Sequence, residues 1–202
     1  MAVGKDFWEQ HHTDNSGWLT GTGFRDLLNA FGLTDADITG KRVLEIGIGK
    51  ATCSPGLASL ANELYCCDIS EKALSKVKDI ACQTYLTTDI IQAPAVDLAI
   101  SHLVLLHCTD DEMLRIINAV NLTEFGRFIF QISGLKDNVL TEQVQQELVN
   151  DGSHFFRSVE RTKDIIARSN KQLVSVTDPV PGVHFANWLD HEWYYVTVQN
   201  KI

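Results

Sequence analysis

The residues best suited to binding chemistry lie in the stretch 43–52, which reads VLEIGIGKAT. Gly47 and Gly49 follow an apolar strand, and the lack of a Cβ lets the backbone turn sharply and approach a ligand closely. A dinucleotide site would continue with a small residue at position 52, but Ala51 comes one residue early and threonine follows it. Glu45 would repel a pyrophosphate and would tolerate an ammonium or a sulfonium. We call residues 47–51 the glycine corner. Together with Glu45, the glycine corner indicates a nucleoside-like ligand that carries positive charge.

A second acid lies where the next strand-like segment ends. Asp68 follows Gly47 by 21 residues, and a carboxylate in this place can accept hydrogen bonds from both hydroxyls of a ribose. Nicotinamide dinucleotide sites share this feature, so Asp68 alone does not identify the ligand. It could also simply cap the following helix, as the glycines could form an ordinary strand-to-helix turn.

The chain that must position these residues alternates between strand-like and helix-like segments after Gly40, which predicts an α/β domain with a largely parallel sheet. Strands are expected at 42–46, in ELYCCDIS, CQTYLTTD, VDLAIS and GRFIFQIS and, with no helix between them, in QLVSVTD and EWYYVTVQ. Three helices are expected to begin at caps: one at 54–62 capped by Ser54, one after Ser70, and one after a capping box of Thr109 and Glu112. Two more are expected at 139–149 and 158–169.

The first forty residues are predicted to form a helical cap. A tryptophan-containing segment at 5–12 precedes an amphipathic helix that ends at Gly32. The length of the chain demands no second domain. We therefore expect one domain over 1–202, with the cap at 1–40 and a Rossmann-like core at 41–202.

In this order and spacing, the glycine corner, Asp68 and the segments that follow resemble the class I S-adenosylmethionine-dependent methyltransferases, from about Val43 to Ile132. The resemblance implies a Rossmann-like three-layer sandwich whose seven-stranded, mostly parallel sheet has an antiparallel last strand. It implies that S-adenosyl-L-methionine binds and leaves as S-adenosyl-L-homocysteine. The residues that it assigns to the cofactor are Glu45, Gly47, Ile48 and Gly49 for the methionine part, Asp68 for the ribose, and Asp89, Ile90 and Ile69 for the adenine. Ser101 is expected to lie beside the cofactor.

Two histidines follow the fourth predicted strand, whose carboxyl end faces the ligand crevice in sheets of this kind. Methyl transfer from a sulfonium is an in-line displacement, so a hydroxyl acceptor must lose its proton to a nearby base. His107 and His102 are the candidate catalytic residues because histidine takes up protons near neutral pH. Both could instead shape the pocket or bind backbone groups.

Candidate substrate-binding residues lie in segments that could cover the site. Trp8 lies in FWEQHH, which could fold over the cofactor as a lid or anchor the core. His154 and Arg157 belong to the cluster HFFR, where the arginine could meet an anionic group of the substrate or a surface carboxylate. His184 lies in PVPGVHFANWLDHEW, which could line the substrate or form a surface loop with its aromatic residues in the core.

The composition narrows the class of partner. The chain of 202 residues has 17 Lys and Arg against 26 Asp and Glu, a net charge of -9. Nucleic acid would need a concentrated basic surface, so we expect none as a partner. No secretory signal and no apolar run of spanning length are present, which predicts a cytoplasmic protein without membrane contact. We expect it to be a monomer or a homodimer. Five cysteines without metal-ligand spacing predict free thiols and no metal site.

The expected activity is methylation of a small molecule, with an oxygen acceptor favoured over nitrogen because histidines cluster at the site. Ser101, His102 and Leu103 stand where nucleic-acid amino-methylating enzymes carry Asp or Asn followed by two prolines. Two other classes stay open: a NAD-dependent oxidoreductase and a non-catalytic S-adenosylmethionine-binding protein. Against the oxidoreductase stand Glu45 and the lack of a Tyr four residues before a Lys.

Overall fold

The computed structural model describes residues 5–11, 23–135, 155–178, 180–181 and 191–201. Its helices are α1 (Lys5–His11), α2 (Phe24–Ala30), α3 (Asp35–Ile38), α4 (Ser54–Leu60), α5 (Glu71–Ser75), α6 (Asp110–Ala119) and α7 (Val159–Ala167). Its strands are β1 (Arg42–Ile46), β2 (Glu63–Asp68), β3 (Gln83–Leu86), β4 (Val96–Ser101), β5 (Leu122–Leu135), β6 (Lys171–Val176), β7 (Val180–Pro181) and β8 (His191–Asn200). Two 3₁₀ turns cover Thr87–Gln92 and Leu105–His107. The helix predicted at 139–149 lies outside the described residues.

Seven strands form one sheet in the order β3-β2-β1-β4-β5-β8-β6. Strands β1 to β5 pair in parallel, and β8 runs antiparallel between β5 and β6. The predicted seven-stranded, mostly parallel sheet with an antiparallel last strand is therefore confirmed. The two-residue strand β7, which the sequence pattern does not predict, pairs with β8 as an addition to this order.

Apolar side chains cover both faces of the sheet. On one face, Ile117 of α6 and Ile165 of α7 join a buried cluster with Phe128 of β5. On the other face, Leu57 of α4 joins a buried cluster with Ile129 of the same strand. Because successive side chains of a strand point to opposite faces, β1, β2, β4, β5 and β8 each contribute to both clusters. Helices on both sides of the sheet confirm the predicted three-layer sandwich.

Helices α2 and α3 of the predicted cap belong to one of these two helix layers. Leu27, Leu28 and Ile38 are buried in the same cluster as the side chains of α4 and α5. The sequence pattern does not predict α3, which is too short for an apolar period. Its start is fixed by a capping box, in which the Asp37 carboxylate accepts a hydrogen bond from the Thr34 N–H at 2.8 Å.

The predicted side-chain caps of two central helices are confirmed. The Ser70 hydroxyl accepts a hydrogen bond from the Ala73 N–H at 3.1 Å and begins α5. Thr109 and Glu112 form the capping box of α6, since the Glu112 carboxylate accepts from the Thr109 N–H at 2.8 Å. Each cap satisfies backbone donors that the helix itself leaves free.

The predicted Ser54 cap is wrong. Cys53 is the N-cap of α4, and Ser54 is its first helical residue, directly before Pro55. The Ser54 hydroxyl is buried and lies beside the Glu45 carboxyl of β1, whose pKa it lowers. Because Ser54 is inside the first turn, its side chain does not occupy the position from which a cap accepts the free backbone N–H groups.

Candidate functional site

The glycine corner turns the chain from β1 toward α4 in a conformation that requires glycine. Gly47 has φ of 78° and Gly49 has φ of 50°, both in the left-handed region. The Gly47 N–H donates to the Cys67 carbonyl at 2.7 Å, which ties the corner to the end of β2. A Cβ at Gly47 would lie 1.9 Å from the Cγ2 atom of Val104. The corner and the loop after β4 thus approach each other closely.

Ala51 occupies the third small position of the corner with φ of 60°. Its N–H donates to the Ile48 carbonyl at 2.7 Å and closes the turn. A left-handed conformation costs an L-residue roughly 1 kcal/mol or more, because Cβ approaches the following carbonyl oxygen. Alanine here therefore keeps the shape of the turn and carries strain.

The Asp68 carboxylate holds the corner against the start of α5. Its Oδ2 accepts a hydrogen bond from the Gly49 N–H at 3.2 Å, and its Oδ1 accepts one from the Ser70 N–H at 2.9 Å. Each carboxylate oxygen can accept more than one hydrogen bond. Asp68 can therefore order the turn and also accept the two hydroxyls of a ribose.

Glu45 is a buried carboxyl on β1, directly before the glycine corner. Burial raises its pKa to about 7; the Ser54 hydroxyl opposes this shift and the nearby charge of Asp68 adds to it. Its Oε2 atom has no hydrogen-bond partner among the described residues. A cationic group beside Glu45 would supply that partner and favour the ionised form.

The other residues assigned to the cofactor fall into two groups. Ile48 and Ile90 are buried in opposite apolar clusters, so their side chains contribute packing and only their backbone can face a ligand. Ile69 is 37% exposed directly after Asp68 and can cover a ring. Asp89 lies in the 3₁₀ turn after β3 and lines a groove of about 430 Å³ between α5 and β3.

Buried polar side-chain atoms without a partner in the described part of the chain concentrate at the carboxyl edge of the sheet. Buried polar groups are normally hydrogen-bonded, so each exception calls for an explanation, such as a ligand. The atoms at this edge are Glu45 Oε2 on β1, Ser54 Oγ at the start of α4, Ser101 Oγ at the end of β4, His102 Nε2 after it, and Gln131 Nε2 and Ser133 Oγ on β5. The sequence predicted Glu45, Ser101 and His102 among them.

The loop after β4 places His102 in an aromatic surrounding. Its ring centroid lies 5.8 Å from that of Phe31 and 6.4 Å from that of Trp193, both in edge contacts. Burial lowers the pKa of His102 to about 4, which keeps the imidazole neutral at pH 7. The next residue, Leu103, has φ of 59° and donates its N–H to the Gln131 carboxamide oxygen at 3.3 Å. Strained backbone of this kind is characteristic of functional sites.

The structure brings together Trp8 and His107, which the sequence assigned to substrate binding and catalysis. Their ring centroids lie 4.9 Å apart in an edge contact. Helix α1, which carries Trp8, is held on α5 by the ion pair of Lys5 and Glu71 at 2.7 Å, and Glu9 accepts from the Glu71 N–H at 2.7 Å. Helix α1 therefore reaches from the end of β2 to the turn after β4.

The sequence left two partners open for Arg157, an anionic group of the substrate or a carboxylate of the protein, and the structure pairs it with a protein carboxylate. Its side chain is 1% exposed and pairs with Asp110 at 2.8 Å. It also donates to the carbonyls of Leu105, Phe155 and Cys108, so protein acceptors occupy most of its N–H groups. In this geometry Arg157 ties the turn of His107 to the start of α6. The predicted substrate residues His154 and His184 lie outside the described ranges.

Sequence reasoning missed Gln131, Ser133 and Trp193. The signal was present in GRFIFQIS, where two polar residues at alternate positions interrupt a buried apolar strand. Such residues are buried with the strand and then need partners. Recognising Trp193 required the pairing of β5 with β8, which local pattern does not give.

The described residues contain no helix that is long and apolar enough to span a membrane. In the same ranges, no group of three or more His, Cys, Asp or Glu side chains is arranged to hold a metal ion.

Comparisons with known proteins give structural matches at low sequence identity. No protein-family model and no curated protein matches the chain. The N-methyltransferase NodS from Bradyrhizobium japonicum WM9, in complex with S-adenosyl-L-homocysteine, has a TM-score of 0.67 at 16% identity over 98% of each chain. Magnesium protoporphyrin IX methyltransferase (ChlM) from Synechocystis PCC 6803, also with S-adenosylhomocysteine, has 0.59 at 20% identity over 97% of this chain and 93% of its own. The DhpI-SAM-HEP complex has 0.67 at 18% identity over 96% and 94%.

The fold is therefore that of the class I S-adenosylmethionine-dependent methyltransferases, as the sequence resemblance implied.

Proposed function

We propose that the protein transfers a methyl group from S-adenosyl-L-methionine to a small molecule and releases S-adenosyl-L-homocysteine. The observation that carries the proposal is the pair of buried carboxylates at the glycine corner. Glu45 has an oxygen without a partner in the described residues, and Asp68 orders the turn. A ligand with a sulfonium and an ammonium suits Glu45, and its ribose suits Asp68.

The residues present fit this cofactor along one edge of the sheet. Glu45 and the backbone of Gly47–Gly49 would hold the methionine part, Asp68 the ribose, and Ile69 with Asp89 the adenine. Bound S-adenosylmethionine supplies a methyl group made electrophilic by its sulfonium. Helix α1 and Trp8 would exclude water from the acceptor side, where methyl transfer needs a dry, oriented approach.

An oxygen acceptor that is a hydroxyl needs a base, and the two histidines are not equivalent in this role. A base with a pKa far below the working pH draws a proton weakly. His102, with its pKa lowered to about 4, is suited to hold the acceptor as a neutral hydrogen-bonding group. We therefore assign proton removal to His107, next to Trp8, and favour oxygen over nitrogen acceptors. NodS is an N-methyltransferase, so a nitrogen acceptor is the alternative.

The remaining expectations belong to the same proposal. The net charge of -9 favours a small molecule over nucleic acid as the partner. All five cysteines are free thiols, which suits a cytoplasmic protein. The protein is proposed to act as a monomer or a homodimer. The rival functions are a NAD-dependent oxidoreductase and a non-catalytic S-adenosylmethionine-binding protein.

Calorimetric titration separates these functions. We expect S-adenosylmethionine and S-adenosylhomocysteine to bind and NAD not to bind. Asp68→Asn should weaken the binding of S-adenosylmethionine at least tenfold, because hydrogen bonds to a charged group contribute about 1.5–3 kcal/mol each. Asp79→Asn, at an exposed position of the same charge type, is the matched control. Binding of NAD alone would overturn the proposal.

A labelled-methyl screen of small phenols, alcohols and amines tests catalysis. With an acceptor from that screen, His107→Ala should lower kcat at least a hundredfold for a hydroxyl acceptor and leave S-adenosylmethionine affinity within twofold, as for loss of a general base. Near-normal turnover of the variant would remove His107 as the base. Tight cofactor binding without methyl transfer to any of the three classes of acceptor would favour a non-catalytic S-adenosylmethionine-binding protein.

A further inference from the structure

Two fully buried polar residues lie on one face of β5 near its carboxyl end. Gln131 is 0% exposed and Ser133 is 1% exposed. In the antiparallel pair of β5 and β8, Gln131 is opposite Tyr195 and Ser133 is opposite Trp193. Directly opposite residues project to the same face of a sheet. The two polar groups therefore stand beside two aromatic rings, on the side where His102 contacts Trp193.

The orientation of the Gln131 carboxamide follows from one contact. Its oxygen accepts the Leu103 N–H at 3.3 Å, and an N–H donor requires the oxygen at that position. The carboxamide nitrogen then points away from Leu103 and has no acceptor among the described residues. Gln131 thus offers two N–H donors, and the Ser133 hydroxyl and the neutral His102 imidazole can each donate or accept.

Among the described residues, no charged side chain shifts the pKa of His102 or of Tyr195 in this cluster. Burial alone shifts the pKa of His102, and burial alone raises the pKa of Tyr195 to about 12. The Arg157 guanidinium is taken up by Asp110 and by three carbonyls. The other buried cation, Lys171, begins β6 at the opposite edge of the sheet.

The sequence outside the described ranges adds little positive charge. Lys136 is the only Lys or Arg among residues 1–4, 12–22, 136–154, 179, 182–190 and 202. A buried carboxylate or phosphate would need a cation beside it, because unpaired buried charge is costly. The cluster fits an uncharged group better than an anion.

We propose that Gln131, Ser133 and His102, with Trp193 as an aromatic wall, form the acceptor subsite, and that it takes an uncharged, ring-bearing acceptor through a carbonyl or hydroxyl oxygen. The two unpartnered donors of Gln131 suit an acceptor oxygen, and the edges of the aromatic rings suit a flat group beside them. This inference rests on the proposed function, since it needs the methyl donor at the glycine corner. The subsite selects by charge and hydrogen bonding.

Three probes of one shape test the charge preference. They are 4-hydroxybenzamide, which is neutral, 4-hydroxybenzoate, which is anionic, and 4-hydroxybenzylamine, which is cationic. Binding to the full chain saturated with S-adenosylhomocysteine is measured by ligand-observed NMR. We expect the neutral probe to bind at least tenfold more tightly than either charged probe. Equal or tighter binding of a charged probe, or no binding of the neutral one, would overturn the inference.

Substitutions test the residues. Gln131→Glu keeps an oxygen for Leu103 and removes the donors, Ser133→Ala removes the hydroxyl, and Gln131→Met guards against misfolding by a buried charge. Each substitution should weaken the binding of 4-hydroxybenzamide at least fivefold. The affinity for S-adenosylhomocysteine should stay within twofold of that of the unsubstituted chain. Gln199→Glu is the matched control, four residues beyond Tyr195 and about 13 Å along the same strand.

The two proposals fail in different ways. Loss of S-adenosylhomocysteine binding in the unsubstituted chain would reject the proposed function. Normal S-adenosylhomocysteine binding, with unchanged affinity of the neutral probe in Gln131→Met and Ser133→Ala, would reject the acceptor subsite alone.

Discussion

Glu45 shows how a single residue can oppose stability in order to bind a ligand. An ordinary glutamate has a pKa of 4.5, and burial raises that of Glu45 to about 7. A carboxyl with a raised pKa in the folded state binds its proton more tightly there than in the unfolded chain. Its contribution is therefore favourable at low pH and is lost as pH rises from 4.5 through 7.

Glu45→Gln should consequently stabilise the ligand-free protein only at higher pH. The gain in the free energy of unfolding should rise from near zero at pH 4.5 to about 3 kcal/mol at pH 8, at roughly 1.4 kcal/mol for each pKa unit. Urea unfolding at several pH values measures it, with the exposed Glu124→Gln as control. The variant should also bind S-adenosylmethionine at least tenfold more weakly at pH 8. A stability difference independent of pH would contradict this reasoning.

Ala51 carries strain that glycine would relieve. Its φ of 60° is unfavourable for alanine, whereas glycine enters this region freely but gives the unfolded chain more freedom. Ala51→Gly should therefore raise the free energy of unfolding by about 0.5–1 kcal/mol, measured by urea unfolding. Ala58→Gly inside α4 is the control, and it should lower stability by about 1 kcal/mol. Destabilisation by both substitutions would show that the turn relaxes around alanine.

At the scale of elements, local sequence predicts what depends on local rules. Strand β1 and the caps of α5 and α6 follow from apolar period and from Ser70 and Thr109. The Ser54 cap fails because Cys53 takes the N-cap position and Ser54 becomes the first helical residue, with its buried hydroxyl beside Glu45 of β1. The two-residue β7 exists only through its pairing with β8, which no local pattern shows.

The candidate site divides in the same way. Glu45, the glycine corner and Asp68 are readable because strand ends position them directly. The acceptor subsite requires β5, β8 and the loop after β4 together, and its register depends on non-local pairing. The sequence could not choose between an anionic substrate group and a protein carboxylate as the partner of Arg157. Only the tertiary structure shows that Asp110 is its partner.

The contact between Asp110 and Arg157 links two elements and supports the turn of His107. Asp110 accepts from Arg157 at 2.8 Å and from Arg161 at 2.7 Å, and these arginines hold the pKa of its carboxyl below the ordinary value, against the opposing effect of burial. Asp110→Asn would leave a buried guanidinium without its counter-charge. Breaking such a pair costs about 3 kcal/mol or more.

We therefore expect Asp110→Asn to lower the free energy of unfolding at pH 7 by about 3 kcal/mol in urea titrations. The neighbouring Asp111→Asn is the control, because Asp111 is 85% exposed and its pair with Arg168 spans 3.8 Å. Its effect should stay within about 0.5 kcal/mol. The difference between the two variants should shrink at pH 2–3, where the carboxyls become protonated. Equal effects of the two substitutions on the free energy of unfolding at pH 7 would mean that the backbone carbonyls alone stabilise the buried Arg157 guanidinium.

At the scale of the whole molecule, the sheet order brings the carboxyl ends of β1, β2 and β4, with Glu45, Asp68 and Ser101, to one edge. Strand β1 lies between β2 and β4, so the direction of strand addition changes beside the glycine corner. Ligands of open α/β sheets bind in the crevice at such a point, outside the carboxyl ends of the strands. The polar atoms without partners in the described residues follow the same edge from β1 to β5.

Amide hydrogen exchange with S-adenosylhomocysteine bound should reveal this asymmetry. Ligand contacts and the stabilisation that binding gives the folded state both reduce local opening. We expect exchange to slow at least tenfold in peptides covering 45–51, 68–70 and 101–107. Peptides covering 122–126 and 170–172 lie at the opposite edge of the sheet, where β5 and β6 begin. Their exchange rates should change by less than twofold when local opening governs exchange. NAD is the control ligand and should slow neither set. Equal protection at both edges would indicate only global stabilisation, and protection confined to the groove lined by Asp89 would place the ligand outside the glycine corner.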